Sequence, residues 1–206
     1  GALSSVTTGS YSNTAVGYNA AAANTSGVGT TAIGANAGEA ITTGNYNTCV
    51  GYVAAPDITT GGDNTAVGVG AGYVLTTGSE NTFMGRRAGT AATTSSNNTF
   101  IGSDCGAANT TAANNTALGY SALAANTTGT ENTAVGALAG DALTTGSYNT
   151  AIGYIALSTA TTATDNTAVG REALRDTTSG DDNVAVGKEA AKLNTTGANI
   201  VAVGNH

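Results

Sequence analysis

The chain has 206 residues and a formal net charge of −7, with six basic residues against thirteen acidic ones. That balance argues against nucleic acid as a partner, because phosphate binding needs clustered Lys and Arg. Tryptophan is absent and aromatics are 5% of the chain, so an ordinary compact core has no material to be built from. Charged residues are only 9% and apolar ones 40%, which separates the chain from disordered sequences of low hydrophobicity and high charge. No apolar run approaches the roughly 18 residues that span a membrane, so no membrane insertion is expected.

The organisation is a tandem repeat. A glycine recurs every 17 residues at Gly17, Gly34, Gly51, Gly68, Gly85, Gly102, Gly119, Gly136, Gly153, Gly170, Gly187 and Gly204, without insertion or deletion. Twelve copies therefore fill almost the whole chain, read here as one repeat domain over 1–206. A larger echo is visible between residues 35–51 and 137–153, six copies apart. Positions within a copy are called columns 1 to 17, the glycine being column 17.

Columns 1 and 2 read as a corner, and Tyr18, Tyr52, Tyr120 and Tyr154 share column 1. A tyrosine has an apolar body and a polar tip, so these are candidates for surface recognition as well as for corner packing. Columns 3 to 7 read as a second short strand or an irregular extended segment, with a single helical turn as the alternative. Column 8 is threonine in every copy, from Thr8 to Thr195, and Thr-Thr-Gly is a turn signal. Thr42, Thr59, Thr76, Thr127 and Thr144 are candidate surface-binding residues of this column. Column 12 carries Asp63, Glu80, Asp165 and Asp182, where stacked carboxylates attract cations but also suit an exposed, screened edge.

The Asn-Thr-Ala-Val-Gly block at columns 13 to 17 is the clearest strand, since Thr and Val fit a pleated surface. Column 13 predicts an asparagine ladder through Asn47, Asn64, Asn81, Asn98, Asn115, Asn132, Asn149, Asn166 and Asn183, interrupted at Thr30 and Ile200. Column 16 predicts a core ladder of Val16, Ile33, Val50, Val67, Met84, Ile101, Leu118, Val135, Ile152, Val169, Val186 and Val203. Column 15, mostly alanine with Cys49, Phe83 and Phe100, then faces the other way and needs a second layer, which other copies of the chain would supply. Short repeats that cannot bury a face alone must stack. The expected fold is therefore all-β, a parallel β-solenoid of twelve 17-residue coils. At a strand spacing of about 4.8 Å it is a rod on the order of 55–60 Å long.

The Asn-Thr-Ala-Val-Gly-x-x-Ala pattern resembles the head repeats of YadA-like trimeric autotransporter adhesins and similar repeats of phage tail fibres. Ala32-Ile33-Gly34 with Ala37, and Ala151-Ile152-Gly153 with Ala156, carry the likeness. The resemblance implies a left-handed parallel β-roll, three chains side by side, and an extracellular place on a virion fibre or cell surface. The repeats here are a few residues longer than usual for that family. The implied partners are the chain itself, as a homotrimer, and a host surface glycan or protein.

Chemistry-bearing residues are sparse. The single histidine is His206 and no GxxxxGK[ST] loop occurs, so no catalytic role and no cofactor is expected. Cys49 and Cys105 fall four coils apart, about 19 Å at strand spacing, too far for a disulfide. Sequons at Asn24, Asn109, Asn126, Asn194, Asn97 and Asn114 arise readily in an Asn- and Thr-rich repeat. The function expected is a structural or adhesive rod supporting multivalent attachment. Two alternatives stand beside it: an ice- or surface-binding solenoid using a threonine ladder, and a subunit of a self-assembling extracellular filament.

Overall fold

The computed structural model describes residues 1–3 and 12–205; Thr8 and His206 lie outside them. Every Thr-Ala-Val-type block forms a strand of three residues, from β1 (Thr14–Val16) to β12 (Val201–Val203). Among the described residues the twelve strands make one parallel sheet, ordered as in the sequence. The register advances by one repeat at each step. Ala15 pairs with Ala32 and Val16 with Ile33 at one end, and Val186 with Val203 at the other. The fold is thus a parallel β-solenoid with no helix among the described residues.

The corner glycine explains the strict period. At column 17 φ lies between 127° and 144°, a region that L side chains rarely adopt. A Cβ on Gly136 would also sit 2.6 Å from the carbonyl oxygen of Gly153 in the next coil. Both constraints recur in every coil that has a successor, so glycine is retained throughout.

Columns 3 to 7 are neither a second strand nor an extended segment. They form consecutive turns, as Ala139 N donates to Gly136 O (3.3 Å) and Leu143 N to Gly140 O (3.1 Å). Columns 2 and 4 take left-handed φ, as at Leu138 (57°), Leu123 (50°) and Leu157 (51°). That conformation costs an L residue about 1–2 kcal/mol. It turns peptide groups along the rod, so that Leu138 N bonds Tyr120 O of the coil before and Gly140 N bonds Ala156 O of the coil after. Backbone bonding between coils therefore continues around the corner without a second sheet, which satisfies the buried amides.

The interior is filled by columns 3, 4, 7, 10, 13 and 15. Most coils place one large apolar residue inside, and its column varies. Ile41 and Leu143 occupy column 7 opposite Gly38 and Gly140 at column 4. Leu123, Leu157 and Leu174 occupy column 4 instead, and column 7 then holds Asn126, Ala160 and Thr177. Phe83 and Phe100 stack at column 15 with ring centroids 5.4 Å apart. Glycine at column 4 makes room for them: a Cβ on Gly89 would lie 2.8 Å from the Phe83 ring. A large side chain in one column is thus matched by a small one in another, as close packing demands.

The asparagine ladder runs as the spacing predicts. Asn47, Asn64, Asn81, Asn98, Asn115, Asn132, Asn149, Asn166 and Asn183 are all buried. Asn98 shows the pattern. Its Nδ2 donates to Ala112 O of the next coil (2.9 Å) and to Asn81 Oδ1 of the previous one (3.2 Å). Its Oδ1 accepts from Asn115 N (3.0 Å). The amide ties three coils together and leaves no buried polar atom unpaired at that position. Thr30 breaks the ladder: its backbone N–H reaches Asn13 Oδ1 (2.7 Å), but its own Oγ1 has no partner.

Candidate functional site: the outward strand face

A three-residue strand has two faces, and the assignment of columns 15 and 16 expected above is reversed. Column 15 is the inner one. Ala32, Cys49, Phe83, Phe100 and Ala134 are fully or almost fully buried. Column 16 is outside. Val16 is 58% exposed, Ile33 40%, Met84 40%, Leu118 46% and Val203 76%. Val50, Val67, Ile101, Val135 and Val169 are half-buried, and Ile152 and Val186 are exposed. The column 16 ladder is continuous in register, but it does not fill the coil. The physical reason is polar satisfaction: alternation sends columns 13 and 15 to the same side, and the asparagine amides have to be inside to find partners.

The outer face consists of columns 14 and 16. Column 14 is threonine in ten copies and valine at Val184 and Val201, and neither column holds a charge. All thirteen acids and six bases lie at columns 1, 2, 5, 6, 11 and 12. An uncharged aliphatic and threonine strip on the order of 55 Å long is therefore left open to solvent by a single chain. At each margin stand exposed tyrosines. Tyr18, Tyr52, Tyr120 and Tyr154 lie on the column 1 side at 50–72% exposure. Tyr46 and Tyr148 lie on the column 12 side at 61% and 55%, and repeat spacing does not single them out.

From Thr25 to Thr144 the column 8 threonines are half-buried and their hydroxyls are engaged, whereas Thr161, Thr178 and Thr195 are exposed. Thr42 Oγ1 donates to Thr59 O, Thr59 to Thr76 O, Thr76 to Thr93 O, Thr127 to Thr144 O and Thr144 to Thr161 O, at 2.9–3.3 Å. They serve as a second ladder that bonds coil to coil. The exposed hydroxyl column is column 9, including Thr43, Thr60, Thr77 and Thr128.

Titratable groups play structural parts. Cys49 and Cys105 are free and buried, and burial pushes both thiols up to about 12. Arg171, Glu172, Arg175, Lys188, Glu189 and Lys192 form an ion-pair network over the last two coils, with Lys192 Nζ 2.6 Å from Glu172 and Arg171 2.8 Å from Glu189. Hydrogen bonds from Arg171 and Lys188 hold the Glu189 carboxyl down at about 2. No set of three metal-binding side chains gathers among the described residues. Of the sequon asparagines, Asn24, Asn109 and Asn126 are buried in the folded chain and Asn194 is half-buried, whereas Asn97 and Asn114 are exposed at the column 12 corner.

No family model, curated protein or solved structure matches the chain.

Proposed function

We propose that the chain is a rigid structural and adhesive rod, a left-handed roll that works as a side-by-side homotrimer in a virion fibre or a cell-surface adhesin. One observation carries this reading: the continuous, uncharged strand face exposed along the whole solenoid. Such faces are rare on monomers, which blunt or charge their exposed apolar patches. Packing three copies through it would remove the aliphatic ladder from water, at ~25 cal/mol per Å² of apolar surface. Backbone, asparagine and threonine ladders give the stiffness a fibre needs. The sides turned away from partner copies, with the exposed threonines of column 9, are left to meet a host glycan or protein, and three parallel rods present them multivalently.

Light scattering on the purified chain tests the reading. The expected mass is three times the 19.8 kDa of one chain. A stable monomer at tens of micromolar would remove the trimer. Binding to an array of surface glycans, stronger for the assembly than for a dissociated variant, tests the adhesive half. The threonine-ladder alternative has less support, because the hydroxyl protons of Thr42, Thr59, Thr76, Thr127 and Thr144 are already committed to backbone carbonyls.

A further inference from the structure

The two margins of the outward face carry opposite charge. Column 12 holds Asp63, Glu80, Glu131, Asp165 and Asp182 and no base. Column 1 holds Arg86, Arg171 and Lys188 and no acid. The cations are not scattered: each follows an acid by six residues, as Glu80/Arg86, Asp165/Arg171 and Asp182/Lys188. Tyr46/Tyr52 and Tyr148/Tyr154 keep the same interval. Six residues are about a third of a coil, so the members of each pair differ in height along the rod by only ~2 Å.

Within one chain these partners are kept apart. The strand separates them across the face, by up to ~20 Å for an extended segment of six residues. Arg86 instead pairs with Asp104, Arg171 with Glu172 and Glu189, and Lys188 with Glu189. Among the described residues Glu80, Asp165 and Asp182 form no ion pair, and all three are exposed. The side chains of Arg86, Arg171 and Lys188 are 49–56% exposed, so guanidinium and ammonium donors remain available.

We infer that the occupant of this face is a second copy of the same chain, parallel and at the same height, with the column 1 margin of one copy against the column 12 margin of its neighbour. The inference rests on the parallel self-association proposed above and adds its axial register and the side chains that meet. Rotation about an axis parallel to the rods brings unlike margins together and closes a ring, which requires zero axial offset. Each interface then acquires three ion pairs at matched heights, with tyrosine facing tyrosine at two further levels. An antiparallel two-fold across the rods would instead set column 1 against column 1 and column 12 against column 12, like charge facing like. Displacement by one coil in one direction keeps only Arg171 opposite an acid, Asp182. In the other direction it keeps Arg86 opposite Asp63 and Lys188 opposite Asp165, and leaves Arg171 opposite Tyr148. Either displacement unmatches both tyrosine levels.

Oxidative cross-linking decides it. In the double variant Tyr148→Cys/Tyr154→Cys the two thiols are too far apart to join within a chain, since a disulfide needs Cα atoms within about 7 Å. Disulfide-linked multimers up to the size of the assembly are expected on a non-reducing gel. Tyr46→Cys/Tyr154→Cys, whose thiols sit at levels six coils apart, is expected to stay uncross-linked. A second measurement is the mass of the triple variant Glu80→Lys/Asp165→Lys/Asp182→Lys, which should fall to that of one chain while its circular dichroism stays that of the folded solenoid. If the unaltered protein associates but the same-level thiols do not link, or the charge-reversed variant keeps its mass, the margin pairing is wrong and self-association still stands. If the unaltered protein is a monomer, both fall.

Discussion

The inner and outer faces of the strand differ by one residue in sequence and by everything in consequence. Column 15 is mostly alanine, yet it is the core; column 16 is aliphatic throughout, yet it is open to solvent in a single chain. Size and hydrophobicity alone would rank them the other way. What decides is the neighbour two residues upstream. Column 13 has to be inside because an amide left buried without partners costs about 1–3 kcal/mol per group, and strand alternation then carries column 15 in with it. A narrow coil has room for alanine there and admits phenylalanine only where column 4 is glycine.

Breaking the inner side should cost most. Asn98→Ala removes the bond to Asn81 Oδ1 and strands Ala112 O and Asn115 N, so a loss of about 2–6 kcal/mol is expected in chemical denaturation. Phe100→Ala removes half of the stacked pair and opens a cavity against Gly106, for about 3–5 kcal/mol. On the outer side of the same strand Ile101→Ala should cost under about 1 kcal/mol in the single chain. Its effect should appear instead as weaker self-association, measured by sedimentation against concentration. Equal losses of folding stability for Phe100→Ala and Ile101→Ala would dissolve the distinction between the faces. A gain sharpens it: Thr30→Asn restores the missing ladder member and gives Asn47 N an acceptor, for about 1 kcal/mol of added stability.

The repeat makes the solenoid legible, because an unbroken 17-residue period leaves stacking as the way to bury anything. The asparagine ladder is legible for the same reason: identical amides at strand spacing find each other. The sense of columns 15 and 16 is not, since both are apolar and periodicity alone does not say which way a three-residue strand faces. Burial of Asn98 and its equivalents is the missing constraint. Columns 3 to 7 mislead because propensity ignores positive φ, which residues such as Leu123 and Leu157 accept once hydrogen bonds to both neighbouring coils fix the corner. The compensation between columns 4 and 7 is present in the sequence, but it has meaning only when both are known to share one interior. Of the candidate site, the tyrosines of column 1 are visible as a column. Their partners Tyr46 and Tyr148 are not, because only the fold places column 12 on the opposite margin of the same face.

The smallest expected effect lies in coils 11 and 12, where charge does some of the holding. Glu189 is held at about 2, chiefly by hydrogen bonds from Arg171 and Lys188, against an ordinary value of 4.5. A depressed carboxyl favours the folded state when ionised, so its contribution is complete above about pH 4.5 and is lost as pH falls toward 2. Glu172 and Asp176 are lowered too, through Lys192 and Arg175 respectively, and weaken in the same direction. Among the described residues, those of the inner coil 120–136 form no ion pair. Acidification from pH 5 to 2 should therefore speed amide exchange in residues 188–204 before it does so in residues 120–136. Glu189→Gln should abolish part of that difference by loosening coil 12 already at pH 7. Uniform acid sensitivity along the rod would show that the ion pairs hold nothing that the ladders do not.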